Sequence, residues 1–116
     1  MKALCLTTVL LASTSLHATT INCTIDGSGI TPRVTYGSAS ECKVIGSGGS
    51  YVLTAKKEPK FVQMSCWRDG PGGDASRCIV GIVRNSSNTK EFRVGTFNEP
   101  GGSGTHPAWF SVTFIN

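Results

Sequence analysis

The sequence predicts an all-β protein: a small, disulfide-stabilised antiparallel β-sandwich or barrel of six to eight short strands. Short runs of β-branched and aromatic residues alternate with clusters of Gly, Ser, Asn and Pro along most of the chain. None of these runs has the apolar spacing of an amphipathic helix. The chain has 116 residues and five cysteines, which suits one modest hydrophobic core supported by disulfide bonds.

The first 18 residues have the three-part layout of a secretory signal. Lys2 is followed by an apolar stretch from Ala3 to Ala12, and a small, polar region ends at Ala18. The apolar stretch is about half the roughly 20 residues that a membrane-spanning helix needs. We therefore expect a signal peptide over 1–18, a single secreted β domain over 19–116, an extracellular location and no membrane anchor.

Cleavage after Ala18 would remove Cys5 and leave an even number of cysteines. The remaining four are Cys23, Cys42, Cys66 and Cys78. In a small exported chain, four cysteines indicate two disulfides, and the residues leave all three possible pairings open. The mature chain has no Cys-x-x-Cys and keeps only one histidine, His106. We therefore expect no metal site and no cofactor.

Eight segments have the composition of strands. They lie near Thr20–Ile25, Arg33–Tyr36, Cys42–Ile45, Tyr51–Ala55, Phe61–Trp67, Arg77–Arg84, Glu91–Phe97 and Trp109–Ile115. Apolar and polar residues alternate most clearly in the segments that begin at 61, 91 and 109, which predicts one core-facing side for each. The run 78–83 is apolar on both sides and predicts a central, buried strand. Turn residues predict hairpin loops at 46–50, 69–74 and 85–88.

Two sets of side chains are candidates for binding a partner. Trp67 and Trp109 stand at strand ends; packing in the core near a disulfide is our first interpretation, and an anchor on a binding surface is the alternative. Lys56, Lys57 and Lys60 form the densest positive cluster, which is either a solvated turn or part of a binding surface.

One predicted loop carries a modification signal. Asn85-Ser86-Ser87 has the pattern of an N-glycosylation acceptor.

The charge of the chain is mild. The formal net charge is +4 and the basic residues are spread out, which points neither to nucleic acid nor to a membrane, and we expect no nucleic-acid partner. No Gly-x-Ser-x-Gly motif accompanies His106, and we expect no catalytic residues. We also expect a monomeric protein.

The order of features from Asn22 to Cys66 resembles the MAX effectors, the ToxB-like β-sandwich toxins and avirulence proteins of plant-pathogenic fungi. The features are Asn22-Cys23, a second cysteine at Cys42, and the segment 48–55 leading to Cys66; they cover under half of the chain. The resemblance implies fungal virulence and a sandwich of two three-stranded sheets. It also implies a Cys23–Cys66 disulfide, which leaves Cys42–Cys78.

A weaker resemblance, over residues 69–104, is to the guanyl-specific fungal ribonucleases. It implies a carboxylate base at Glu58 or Glu99, with His106 as the acid and Arg77 near the phosphate. That family has a central helix, whereas no segment here has helical periodicity.

We therefore expect a secreted, non-enzymatic effector- or toxin-like protein that binds a protein of a host or competitor. The alternatives are a ribonuclease-like fold, an inhibitor of a hydrolase and an antimicrobial protein. An inhibitor would need an exposed loop, which 69–74 or 99–107 could supply.

Overall fold

The structure is a computed structural model that describes residues 19–68, 78–98 and 104–116. The described residues form eight strands and no helix, which confirms the all-β prediction. The strands are β1 (Thr20–Asp26), β2 (Arg33–Tyr36), β3 (Cys42–Ser47), β4 (Ser50–Ala55), β5 (Phe61–Trp67), β6 (Ile79–Arg84), β7 (Glu91–Phe97) and β8 (Trp109–Ile115). The predicted signal peptide and the predicted loop 69–74 lie outside the described residues.

The strands form two antiparallel sheets of four strands each, whereas the MAX resemblance implies three strands in each. Sheet A has the order β2-β1-β8-β5, and sheet B has the order β3-β4-β7-β6. In sheet A, β8 pairs over seven residues with β1 on one side and over seven residues with β5 on the other. In sheet B, the hairpins β3–β4 and β6–β7 are joined along β4 and β7.

The core lies between the two sheets and follows the two-residue period of the strands. Its aromatic members meet in pairs: Tyr51 packs on Phe110 with ring centroids 5.2 Å apart, and Phe92 packs on Phe114 at 5.8 Å. The buried cluster consists of Cys23, Ile25, Cys42, Tyr51, Leu53, Ala55, Cys66, Phe92, Val94, Phe110, Val112 and Phe114. The alternation predicted for β5, β7 and β8 is therefore confirmed.

A two-glycine turn sets the register of the β3–β4 hairpin. Gly48 and Gly49 have φ values of +66° and +87°, and two successive positive φ values are those of the type I′ turn that matches the twist of a hairpin. The turn places Ser47 opposite Ser50. The hairpin loop predicted at 46–50 is thus confirmed. Strand pairing extends to Ser47 and Ser50, so the turn itself is Gly48 and Gly49.

The two disulfides join the sheets, but not in the pairing that the MAX resemblance implies. Cys23 bonds to Cys42, and Cys66 bonds to Cys78. Cys23 and Cys66 belong to strands on opposite sides of β8 in the same sheet, so their backbones stand two strand spacings apart, about 10 Å. That separation exceeds the roughly 7 Å limit between Cα atoms of a disulfide. Cys23–Cys66 and Cys42–Cys78 are therefore wrong.

Strand β6 corrects a second prediction. The run 78–83 was expected to form a central, buried strand, yet β6 is the last strand of sheet B. Ile79 is 40% exposed and Val83 is 67% exposed. An apolar run has the same sequence pattern in a strand buried on both sides and in an edge strand that presents apolar side chains to solvent.

Candidate binding surfaces

The outer side of sheet B carries a group of apolar side chains that are exposed or half-buried. The strand register places Ile45 opposite Val52, and it places Arg93 between Val52 and Val83. Ile45 is 57% exposed. Phe97 and Ile79 are opposite each other farther along the β6–β7 pair, on the same side of the sheet. We call this surface the apolar face; its members are Ile45, Val52, Ile79, Val83 and Phe97.

The ring of Phe97 lies over a pair of glycines. Gly81 and Gly95 are directly opposite each other in the β6–β7 pair. A Cβ atom on Gly95 would stand 3.0 Å from two carbons of the Phe97 ring, and one on Gly81 would stand 3.8 Å from the ring. An aromatic ring over strand glycines covers backbone that would otherwise face water. The ring also extends the apolar face across both strands.

A positive charge stands in the centre of the apolar face. Arg93 is exposed and has Val52 on one side and Val83 on the other. It takes part in none of the three ion pairs found among the described residues. Glu91, two residues earlier on β7, accepts a hydrogen bond from Asn85 instead. The apolar face therefore has a central cation available to an acidic ligand.

The two tryptophans lie side by side on the outer side of sheet A. Trp67 of β5 and Trp109 of β8 are directly opposite each other in register. Their chain neighbours Cys66 and Phe110 face the core, and alternation places the tryptophans on the other side of the sheet. Both are half-buried and neither belongs to the core cluster. The core interpretation of these two residues is therefore wrong.

Between the tryptophan pair and the Phe61–Ile115 pair, this side of β1, β8 and β5 is uncharged and polar. We call it the polar strip; its members are Asn22, Thr24, Gln63, Ser65, Ser111 and Thr113, which adjoin one another across β1, β8 and β5. The hydroxyls of Ser65 and Ser111 share a hydrogen bond of 2.8 Å. The hydroxyl of Thr113 donates to the amide oxygen of Asn22. The polar positions on β8 and β5 were visible in the sequence as the polar half of each alternation, but their position next to one another was not.

The three lysines lie around the β4–β5 connection, at the end of the sandwich away from the tryptophans. All three are exposed, and the Nζ atom of Lys56 lies 3.8 Å from a carboxylate oxygen of Glu41. Lys56 and Lys57 line a cleft of about 240 Å³ with Glu41 and Phe114, which is smaller than the usual small-molecule site of about 300–1,000 Å³. Their arrangement fits a solvated turn, and their proposed part in partner binding stays a prediction.

Next to the tryptophan pair, a buried carboxylate is neutralised within the protein. Asp26 is 7% exposed and accepts hydrogen bonds from the amide and hydroxyl of Ser28, while Arg33 lies 3.1 Å from it. Burial acts to raise the pKa of Asp26, but the Ser28 hydrogen bonds and the Arg33 charge outweigh it and lower that pKa. Asp26 is therefore ionised and paired at neutral pH.

Of the residues that the ribonuclease resemblance implies, the structure describes Glu58 and His106, and it does not bring them together. Glu58 pairs with Arg84, which is opposite Phe92 at one end of β7, whereas the carbonyl of His106 accepts a hydrogen bond from Thr96 at the other end. That span of strand is about 14 Å long. Arg77 and Glu99 lie outside the described residues, as does most of the loop 99–107.

The glycosylation candidate is held by hydrogen bonds within its loop. The side-chain amide of Asn85 donates to Glu91, and its amide oxygen accepts from the backbone of Ser87 at 2.9 Å. A glycan replaces one of the two hydrogens on this nitrogen, so the bond to Glu91 is kept only if the other hydrogen makes it. Modification of Asn85 stays a prediction.

No known protein family, no characterised protein and no solved structure matches this chain. In the parts of the chain that the structure describes, no helix is long and apolar enough to cross a membrane. In the same segments, no three His, Cys, Asp or Glu side chains are grouped as a metal site would require.

Proposed function

We propose that this chain is an exported, non-enzymatic effector- or toxin-like protein that binds a protein of a host or competitor. The observation that carries the proposal is the apolar face, which presents β-branched and aromatic side chains on all four strands of sheet B. Its two rows are separated by Gly81 and Gly95, and the Phe97 ring lies over this gap. Monomeric soluble proteins rarely expose a large contiguous apolar patch unless it binds something. Two disulfides within the chain support export, because such bonds persist in oxidising environments.

The chemistry of the apolar face indicates what kind of protein segment it accepts. Strand β6 is at the edge of sheet B, and an edge strand offers unpaired backbone N–H and C=O groups to another strand. Arg93 supplies a cation in the middle of the apolar side chains. The partner we propose therefore presents an extended apolar segment with a carboxylate that reaches Arg93.

The test uses matched substitutions on the two sheets. The full chain is expressed, and recovery of the protein from the culture medium tests export. Val83→Glu places a negative charge on the apolar face, and Phe61→Glu places the same charge at a 66% exposed position on sheet A. Chemical cross-linking in extracellular extracts of candidate hosts then identifies proteins bound by the wild-type chain.

We expect the same cross-linked protein with the wild type and with Phe61→Glu, and its loss with Val83→Glu. Arg93→Glu should weaken binding to the isolated partner by about tenfold or more, since like charges would then face each other. Equal cross-linking of all variants would contradict the proposal. Sedimentation provides a second check: a dimer that Val83→Glu dissociates would mean that a second copy of this chain occupies the face.

A further inference from the structure

We propose that the outer side of sheet A is a binding site for a neutral polysaccharide chain. In this site the Trp67–Trp109 pair is the stacking platform and the polar strip supplies hydrogen bonds. It lies on the opposite side of the sandwich from the apolar face, so it does not rest on the protein-binding function proposed above.

The tryptophan pair places two indole side chains next to each other, and sugar rings stack on indole faces. Trp67 and Trp109 are directly opposite each other, and such pairs have Cβ atoms about 5 Å apart. The faces of a pyranose ring present C–H groups, which carry partial positive charge, whereas the face of an indole ring is negative. The half-buried state of both tryptophans leaves part of each side chain in contact with solvent. Two such rings in one row suit two neighbouring sugar units.

The polar strip has the hydrogen-bonding character of sugar hydroxyls. Its hydroxyl and amide groups can both donate and accept. Two internal hydrogen bonds, Ser65–Ser111 and Thr113–Asn22, orient part of the strip and leave the amide N–H groups of Asn22 without a described partner. The side chain of Gln63 also has no hydrogen-bond partner among the described residues. The strip therefore has unused donors and acceptors in a fixed arrangement.

The charge of the surface indicates a neutral ligand. No member of the polar strip is ionisable. The charged residues in the row of Trp109 are Asp26 and Arg33, which neutralise each other at 3.1 Å. The lysine cluster lies at the other end of the sandwich. An acidic polysaccharide or a nucleic acid would find no free cation on this strip.

The shape of the surface indicates a chain rather than a single sugar. From Trp109 to Thr113 the site follows most of β8, over about 14 Å. A shallow depression lined by Gln63, Ser65, Ser111 and Thr113 lies along this path. A long, open surface of this kind binds an extended ligand along its length.

The test measures depletion of the purified protein by insoluble polysaccharides. The neutral probes are cellulose, chitin and β-1,3-glucan, and the acidic probe is polygalacturonate. We expect saturable binding to at least one neutral solid and no loss of affinity in high salt, because screening weakens only charge-dependent binding. Soluble oligosaccharides of the bound polymer should change the tryptophan fluorescence.

Three variants locate the site. Trp109→Ala should reduce affinity about tenfold or more, as expected for an aromatic anchor, and Gln63→Ala should reduce it severalfold. Gln63 is exposed, so this variant tests the site even if Trp109→Ala fails to fold. Val83→Glu, on the apolar face, should bind as the wild type does, which separates this site from the proposed protein-binding surface.

Three results would overturn the proposal. The first is that the protein binds none of the three neutral solids. The second is that it binds only polygalacturonate, or that its binding weakens in high salt. The third is polysaccharide binding that both Trp109→Ala and Gln63→Ala leave unchanged.

Discussion

The hydroxyl of Tyr51 donates a hydrogen bond of 2.8 Å to the carbonyl oxygen of Gly27. Tyr51 belongs to β4 of sheet B, whereas Gly27 directly follows β1 of sheet A, so the bond joins the two sheets through the core. The same hydroxyl accepts a bond from the amide of Gly49 at 3.2 Å. Burial raises the pKa of Tyr51, which keeps the hydroxyl protonated and able to donate.

Tyr51→Phe should lower the free energy of unfolding by about 1–2 kcal/mol. The substitution keeps the ring that packs on Phe110 but leaves the Gly27 carbonyl without its partner in a buried place. Denaturant unfolding measures the change. Tyr36→Phe is the matched control, since Tyr36 is 67% exposed, and it should change stability by less than about 0.5 kcal/mol. Equal effects of the two variants would contradict the role of the Tyr51 bond.

The two turn glycines should respond very differently to alanine. Both have positive φ, which costs an L-residue about 1–2 kcal/mol. A Cβ atom on Gly48 would meet no atom within 4 Å, whereas one on Gly49 would lie 2.5 Å from the carbonyl oxygen of His106. Gly48→Ala should therefore cost about 1–2 kcal/mol, and Gly49→Ala should cost more because the clash adds to the strain. Thermal unfolding of both variants measures the difference, and equal losses would mean that His106 is not so close.

Non-reducing peptide mapping should find Cys23 linked to Cys42 and Cys66 linked to Cys78. Their sequence separations of 19 and 12 residues give each bond about 3 kcal/mol of stabilisation from chain entropy. Removing either pair by a double Cys→Ser substitution should lower the unfolding free energy by about that amount. A peptide linking Cys23 to Cys66 would contradict this pairing and return to the one that the MAX resemblance implies.

Stability should fall in acid partly through Asp26. Its pKa is lowered in the folded protein, so its contribution is present above the unfolded value of about 3.9. That contribution is lost as the pH falls through the lower, folded value. Asp26→Asn should be less stable than the wild type at pH 7, and the difference should shrink as the pH approaches 2. Denaturant unfolding across this range gives the comparison, and a constant difference would exclude the carboxylate charge as its cause.

The strands could be predicted from the sequence because their signals are local. The alternation of Phe92, Val94 and Thr96, and the glycines of the β3–β4 turn, each depend on neighbouring residues alone. Strand order is not local: the pairing of β1 with β8 joins residues about ninety positions apart. For the same reason the sequence left three cysteine pairings open and could not distinguish β6 as an edge strand.

The candidate surfaces were only partly predictable. Trp67 and Trp109 were singled out as residues that could bind, but their position next to each other depends on the register between β5 and β8. The exposure of Val83 could not be predicted, because an apolar residue in a strand is ordinarily a core residue. Only the arrangement of the sheets shows which apolar side of a strand lacks a covering layer.

The central place of β8 in sheet A limits how this chain can fold during synthesis. β8 follows every other described strand in the sequence, yet β1 and β5 meet in the sheet only through it. Until β8 has left the ribosome, β1 lacks the partner on one of its edges and β5 has no partner strand in the sheet. The core cannot close before then. Pairing between distant segments also folds slowly. All four disulfide cysteines precede β8 in the chain. If the thiols oxidise before β8 arrives, the finished sandwich does not yet position them. Correct pairing then depends on disulfide exchange after the last strand is in place.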